Sequence, residues 1–253
     1  MKPIAFFICC CLVGSVHAQD RIDTDRPDQT ESAVLVPKKY FQGEFGFNKE
    51  NSGNRYFRIV HPTFLLKYGL SKRFELRLES AYATEYAHLI PNTVTTTDLA
   101  PVEIGTKIAL FEEKEWRPKT SLIFHIGSSF ETSHPIREWG FLSSLRFTCQ
   151  NTITETIGLG YNIGFESDGE ETDLLYTIAP NINIGKRWYA YVELFGFKRR
   201  DPYDFQKHWL HSFDTGVAFY ISKDTKLDLS GGLGLGINAR NDYIALGFSF
   251  RFH

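Results

Sequence analysis

Tyr243-Ile244-Ala245-Leu246-Gly247-Phe248-Ser249-Phe250-Arg251-Phe252, the closing stretch of the chain, decides the fold. Ile244, Leu246, Phe248, Phe250 and Phe252 share one face of an extended strand, and Tyr243, Ala245, Gly247, Ser249 and Arg251 share the other. Successive side chains of a strand point to opposite faces, so one face suits hydrocarbon and the other a wet lumen. Eleven further segments with the same alternation run back from it to about Tyr40. The chain reads as all-β: a twelve-stranded antiparallel transmembrane β-barrel with a short N-terminal periplasmic or lumenal segment.

The alternation is sharp in several segments. Phe74, Leu76, Leu78 and Tyr82 oppose Glu75, Arg77, Glu79 and Ala81, while Ile157, Leu159, Tyr161, Ile163 and Phe165 oppose Gly158, Gly160, Asn162, Gly164 and Glu166. The segment from about residue 55 to 68 is the least clean, apolar on both faces with Pro62 inside it. Proline removes a ladder hydrogen bond, so a bulge or break is expected there. Connections alternate too. Tight turns fall near residues 69–73, 112–117, 151–155, 185–186 and 222–225. Longer or more polar connections fall near 49–54, 86–98, 132–139, 166–173 and 197–208. Short turns at one end and long loops at the other are how bacterial outer-membrane barrels are built, and an even strand number puts both termini on the short-turn, periplasmic side.

The bulk properties agree. Lys2, the apolar stretch from Ile4 to Val13 and the small residues around Val16-His17-Ala18 read as an export signal over residues 1–18, too short to span a bilayer. Cys9, Cys10 and Cys11 leave with it, so only Cys149 remains and no intramolecular disulfide is expected. Removing Lys2 from 28 basic residues leaves 27 against 30 acidic ones, which argues against a nucleic-acid partner. A soluble barrel would bury its apolar face, yet too many Phe, Leu and Ile side chains are present for one small interior. Trp139, Trp188 and Trp209 sit at strand ends, where interfacial anchors belong.

On the polar faces lie the lumen and selectivity candidates Glu44, Glu75, Arg77, Glu79, Glu103, Lys107, Arg146, Glu193, Asp214, Asp228 and Arg251. Such charges either pair to hold the wall in register or form a constriction that sorts permeants by sign, and the two roles are compatible. Before the barrel (residues 39–253), residues 19–38 form a charged lead with no apolar period. Asp25, Arg26, Asp28 and Glu31 in that lead are plug candidates, because both signs are interleaved around Pro27. A disordered periplasmic tail is the competing reading. The histidines show no metal-ligand spacing, and the glycine-rich run at 231–236 lies in a strand rather than before a helix. No catalytic residues, metal or cofactor are expected, and the chain does not read as an enzyme.

Several stretches carry a family resemblance. Asp25-Arg26-Pro27-Asp28-Gln29-Thr30-Glu31-Ser32, followed by Val36-Pro37-Lys38 and Phe41-Gln42-Gly43-Glu44-Phe45-Gly46-Phe47, resembles the opening of the putative phenol-degradation MetA-pathway transporter-like family. Tyr68-Gly69-Leu70-Ser71-Lys72-Arg73-Phe74 is similar to its first tight turn, and Leu227-Asp228-Leu229-Ser230 and the closing strand to its late strands. The resemblance implies an outer-membrane channel for small solutes, aromatic or hydrophobic compounds among them. The expected partners are outer-membrane lipids, the barrel-assembly machinery and an unidentified small solute, with the chain acting as a monomer. The alternative is a non-conducting structural barrel that binds a partner through its outer loops. One departure from the usual barrel ending is that His253 follows the aromatic Phe252.

Overall fold

Alternating strands become a membrane wall only if every backbone donor and acceptor finds a neighbour, because hydrocarbon offers none. The computed structural model describes residues 21–52, 56–88, 92–129, 140–200, 205–236 and 241–253. Thirteen strand segments meet the requirement: β1 (Phe41–Ser52), β2 (Tyr56–Gly69), β3 (Phe74–His88), β4 (Thr93–Leu99), β5 (Val102–Phe111), β6 (Lys119–Ser129), β7 (Gly140–Thr152), β8 (Ile157–Ser167), β9 (Thr172–Ile184), β10 (Trp188–Arg200), β11 (Lys207–Ser222), β12 (Thr225–Leu235) and β13 (Asn241–Phe252). Neighbours pair antiparallel around the ring, and β13 returns to β1 with Phe252 opposite Phe41 and Asn241 opposite Ser52. β4 pairs with residues 82–88 of β3 and β5 with residues 74–79. The two therefore occupy one wall position in series, and the closed barrel has twelve.

Inside and outside are inverted relative to a soluble protein. Ile104, Ile163 and Ile244 on the outer face are 63%, 65% and 58% exposed, whereas Glu75, Lys107 and Asp214 on the inner face are fully buried. An apolar belt of that extent around a polar interior fits lipid, not water. Trp188 at the tight-turn end packs on Phe219, and Trp209 near the other end lies beside Tyr176 and His211. The export signal, Trp139 and the connection at 132–139 lie outside the described residues.

The bulge expected around Pro62 is present: the β2–β3 register shifts between Val60 and Thr63, and the β1–β2 register between Gly46 and Asn48. At the tight-turn end, Gly185 adopts φ 62°, a conformation that costs glycine little. The opposite end departs from expectation. Residues 86–88 and 93–98, read as loop, instead continue β3 and lie in β4, and the connection expected over 166–173 shrinks to the four residues between Ser167 and Thr172. There the Asp168 carboxylate accepts from the Glu170 and Glu171 amides and closes a local turn. The strands are simply longer than the apolar period indicated. β3 has 15 residues and β11 has 16, against roughly 9–11 for a tilted span, so they project past the bilayer, where no apolar face is required.

Candidate functional site

Residues 21–39 lie inside the barrel and trace a U. The Ile22 amide donates to the Lys223 carbonyl in the β11–β12 turn, and Arg21 reaches the Lys186 carbonyl in the β9–β10 turn. The segment rises to its deepest point at residues 29–31 and returns to the Lys39 amide, which donates to the Gly69 carbonyl at the end of β2. A chain with no apolar period cannot bury itself against a greasy surface. It is held by polar side chains of the wall, as desolvated charges demand.

Asp25 is the centre of that grip. Its carboxylate accepts from Lys67 Nζ (2.8 Å), Arg77 (2.9 Å) and Lys107 Nζ (3.0 Å), contributed by β2, β3 and β5. Around these lie two more acids: Glu44 pairs with Lys67 and accepts from the Asp25 and Arg26 amides, and Glu75 pairs with Arg77 at 3.2 Å and accepts from the Val36 amide. Glu31 bridges Arg77 (2.7 Å) and Arg146 (3.4 Å). Its backbone is clasped by Asn162, which accepts from the Glu31 amide and donates to its carbonyl. Burial alone would raise both segment carboxyls, but Lys107, Lys67 and Arg77 hold Asp25 well below the usual aspartate range, and Arg77 and Arg146 hold Glu31 down likewise.

The far side of the segment meets a different surface. Arg26 reaches Asp228 on β12 at 3.2 Å, lying over Gly46 and Gly247, where any Cβ would collide with its guanidinium. Gln29 and Thr30 donate from the segment to Glu193 on β10. Glu193 sits directly opposite Asp214 of β11, and Tyr243 of β13 donates to Asp214. Asp28 faces this acidic arc. Burial, reinforced by Asp214 and Asp25 and only partly opposed by Lys226, raises its carboxyl well above the usual value.

The structure thus brings Glu44, Glu75, Arg77, Lys107 and Arg146 together around Asp25 and Glu31, and Glu193, Asp214 and Asp228 around Arg26 and Asp28. Glu79 and Glu103, opposite each other across β3 and β5, face the outer end of the lumen beside Glu31 and Arg146, and neither makes an ion pair with a cation of the described residues. Arg251 sits at the tight-turn end, bonded to Asp224. Lys67 and Lys226 are central residues that the alternation does not single out. Lys67 lies in the segment whose faces the Pro62 bulge scrambles, and Lys226, which donates to Thr24 and to the Arg26 carbonyl, lies one residue before the apolar period of β12 begins. His125, a histidine without metal-ligand spacing, also belongs to the cluster and accepts from Arg77 Nε at 3.0 Å.

Cavities flank the segment at both ends. Towards the tight turns, one of about 440 Å³ is lined by the segment together with Lys119, Cys149, Asn181 and Tyr189. Towards the projecting strands, one of about 480 Å³ is lined by Glu79, Glu103, Leu142, Arg146, Glu166 and Arg199. Each is the size of a small-molecule site.

Residues 24–252 match the model of a family described as "Putative MetA-pathway of phenol degradation". No curated protein sequence matches the chain. Among solved structures, the fold is similar to an outer membrane channel from Pseudomonas putida F1 (TM-score 0.61, 10% identity, covering 87% of this chain and 98% of that one). It is similar also to the beta domain of the Bordetella autotransporter BrkA (0.56, 11%, 85% and 100%) and to the KdgM porin in complex with disordered oligogalacturonate (0.52, 10%, 83% and 99%). At such identities the likeness is one of fold.

Proposed function

The chain belongs to the family described as the putative MetA-pathway of phenol degradation, and on that premise we propose that it is an outer-membrane channel for small solutes, stoppered by its own residues 21–39. The observation that carries this reading is a polar lumen with a cavity on each side of one internal segment. A purely structural barrel of this size would gain more from filling its interior with packed side chains. The segment's ion pairs are the closed state, and passage requires it to shift or withdraw towards the tight-turn end, where its ends are attached.

Small aromatic or hydrophobic compounds are the first permeants to test, given the family's description. The barrel works as a monomer in outer-membrane lipid, delivered through the barrel-assembly machinery. Glu79, Glu103 and Arg146 line the entrance on the outer side, while Glu44, Glu75, Arg77 and Lys107 hold the stopper. Planar-bilayer recordings test the proposal: discrete openings are expected from the mature protein, larger or longer ones after deletion of residues 19–32. Silence from both proteins would overturn the channel reading and leave the structural barrel with partner-binding loops.

A further inference from the structure

The internal segment is gripped unequally by the two sides of the wall. On the β1–β7 side Asp25 and Glu31 of the segment each meet lysine or arginine within ion-pair distance. On the β10–β13 side the wall presents Glu193, Asp214 and Asp228, and the segment presents a further acid, Asp28. Among the described residues no cation lies within 4.0 Å of Asp28, Glu193 or Asp214; the segment's ion pair on this side is Arg26 with Asp228. Lys226, the nearest other cation, spends its ammonium on Thr24 and the Arg26 carbonyl.

Glu193 and Asp214 are fully or almost fully buried and directly opposite each other across β10 and β11. Asp214 Oδ1 and the Tyr191 hydroxyl, both buried, have no hydrogen-bond partner among the described residues. Like charges this close cannot all ionise out of water without mutual repulsion, and the ordinary remedy is a retained proton.

We propose that this arc is a proton-operated latch: the segment stays docked while the Asp28–Glu193–Asp214 carboxyl cluster holds protons, and is released as the cluster loses them. This rests on the channel reading for its consequence, but not for its test. The groups facing Asp28 are Tyr189, Tyr191 and Glu193 of β10, Asp214 and Tyr220 of β11, Lys226 of β12, Tyr243 of β13, and Asp25 of the segment itself, while Asp228, Glu44 and Asp23 lie around Lys226. Among these groups only Lys226 opposes the accumulation of negative charge, and it is shared with Asp228, Glu44 and Asp23. The sign follows from the raised Asp28 carboxyl: docking favoured by the protonated form is complete below the ordinary aspartate range and is lost as pH rises through the docked value. The ligand of this site is the proton, and the readout is the position of residues 21–39.

Hydrogen–deuterium exchange of peptides spanning residues 25–34, in nanodiscs and corrected for intrinsic rates, tests the latch without requiring conduction. In the wild-type protein, protection should fall as pH rises from 5 to 9, by up to about tenfold per unit and per proton between the undocked and docked values, and should level off above the docked one. Asp28→Asn should keep more of its protection across that range and fall less steeply, because only the Glu193–Asp214 pair is left to titrate. Asp28 lies outside the strand ladder, and heat-modifiable migration of the variant checks that its barrel is intact. A flat wild-type profile, or an Asp28→Asn profile that falls as steeply as wild type, would overturn the latch. Conductance recorded in parallel separates the two readings. If exchange follows pH as stated but no variant conducts, the latch stands and the channel falls.

Discussion

Lys107 and Asp25, separated by 82 positions in the chain, meet at 3.0 Å in the middle of the barrel, with the lysine wholly buried. A cation so placed is tolerable only because the internal segment brings it an anion. The segment is therefore part of the electrostatic structure of the wall, and removing it uncovers Lys67, Arg77 and Lys107 together.

Asp25→Asn should loosen the segment more than any other single change within it. Breaking a buried pair while leaving the partner charged costs about 3–5 kcal/mol, and here three cations lose one acid. Open probability in planar bilayers should rise markedly, approaching that of the 19–32 deletion. The barrel should still show heat-modifiable migration, because its strand ladder is untouched. An Asp25→Asn protein indistinguishable from wild type in conductance would mean that the clamp does not hold the stopper.

The acid limb of the pH response has the opposite sign from the latch. The Asp25 and Glu31 carboxyls are depressed when docked, from ordinary values of 3.8 and 4.5. Their contribution is fully present above those values and is lost as pH falls below them through the docked ones. Exchange protection of residues 25–32 should therefore decline below about pH 4. Glu31→Gln should weaken docking at neutral pH and flatten part of that decline.

Glu103 faces the outer cavity and pairs with no cation among the described residues; across the ladder it meets Glu79, another acid. Such a pair raises local cation concentration without holding the stopper. Glu103→Gln should lower the preference for cations over anions, read as a shift in reversal potential under a salt gradient, with open probability unaffected. Reversal of Arg77 to Glu should instead raise the preference for cations and also raise open probability, since it breaks contacts to Asp25, Glu31 and Glu75 at once.

On the lipid side, Leu246 is 57% exposed in mid-strand, opposite Phe47 and Leu229. Leu246→Arg should cost about 2–4 kcal/mol in reversible unfolding from bilayers, while Gln at the same place costs less. A mutant as stable as wild type would place this face away from hydrocarbon.

The faces of the strands are legible from their period. Ile244 to Phe252 and Glu75 to Glu79 alternate over enough residues that only one orientation puts the greasy set together, and the barrel has them so. Strand ends are not legible, because outside the bilayer β3, β4 and β11 need no apolar face, and their polar residues look like loop. Lys67 is hidden because an unbroken two-residue period from the inward Val60 would turn it outward, and only the register shift between Val60 and Thr63 brings it into the lumen.

Alternation is a local property: each residue's face follows from its neighbours, so the sequence by itself determined the barrel, its strand number and the lumenal side of nearly every charge. Which charges meet depends on strand order, register and the path of residues 21–39, none of which is local. Only the tertiary structure joined Asp25 to partners 42, 52 and 82 positions away. It likewise set Asp28 among acids rather than bases, because the closed ring fixes what stands across the lumen.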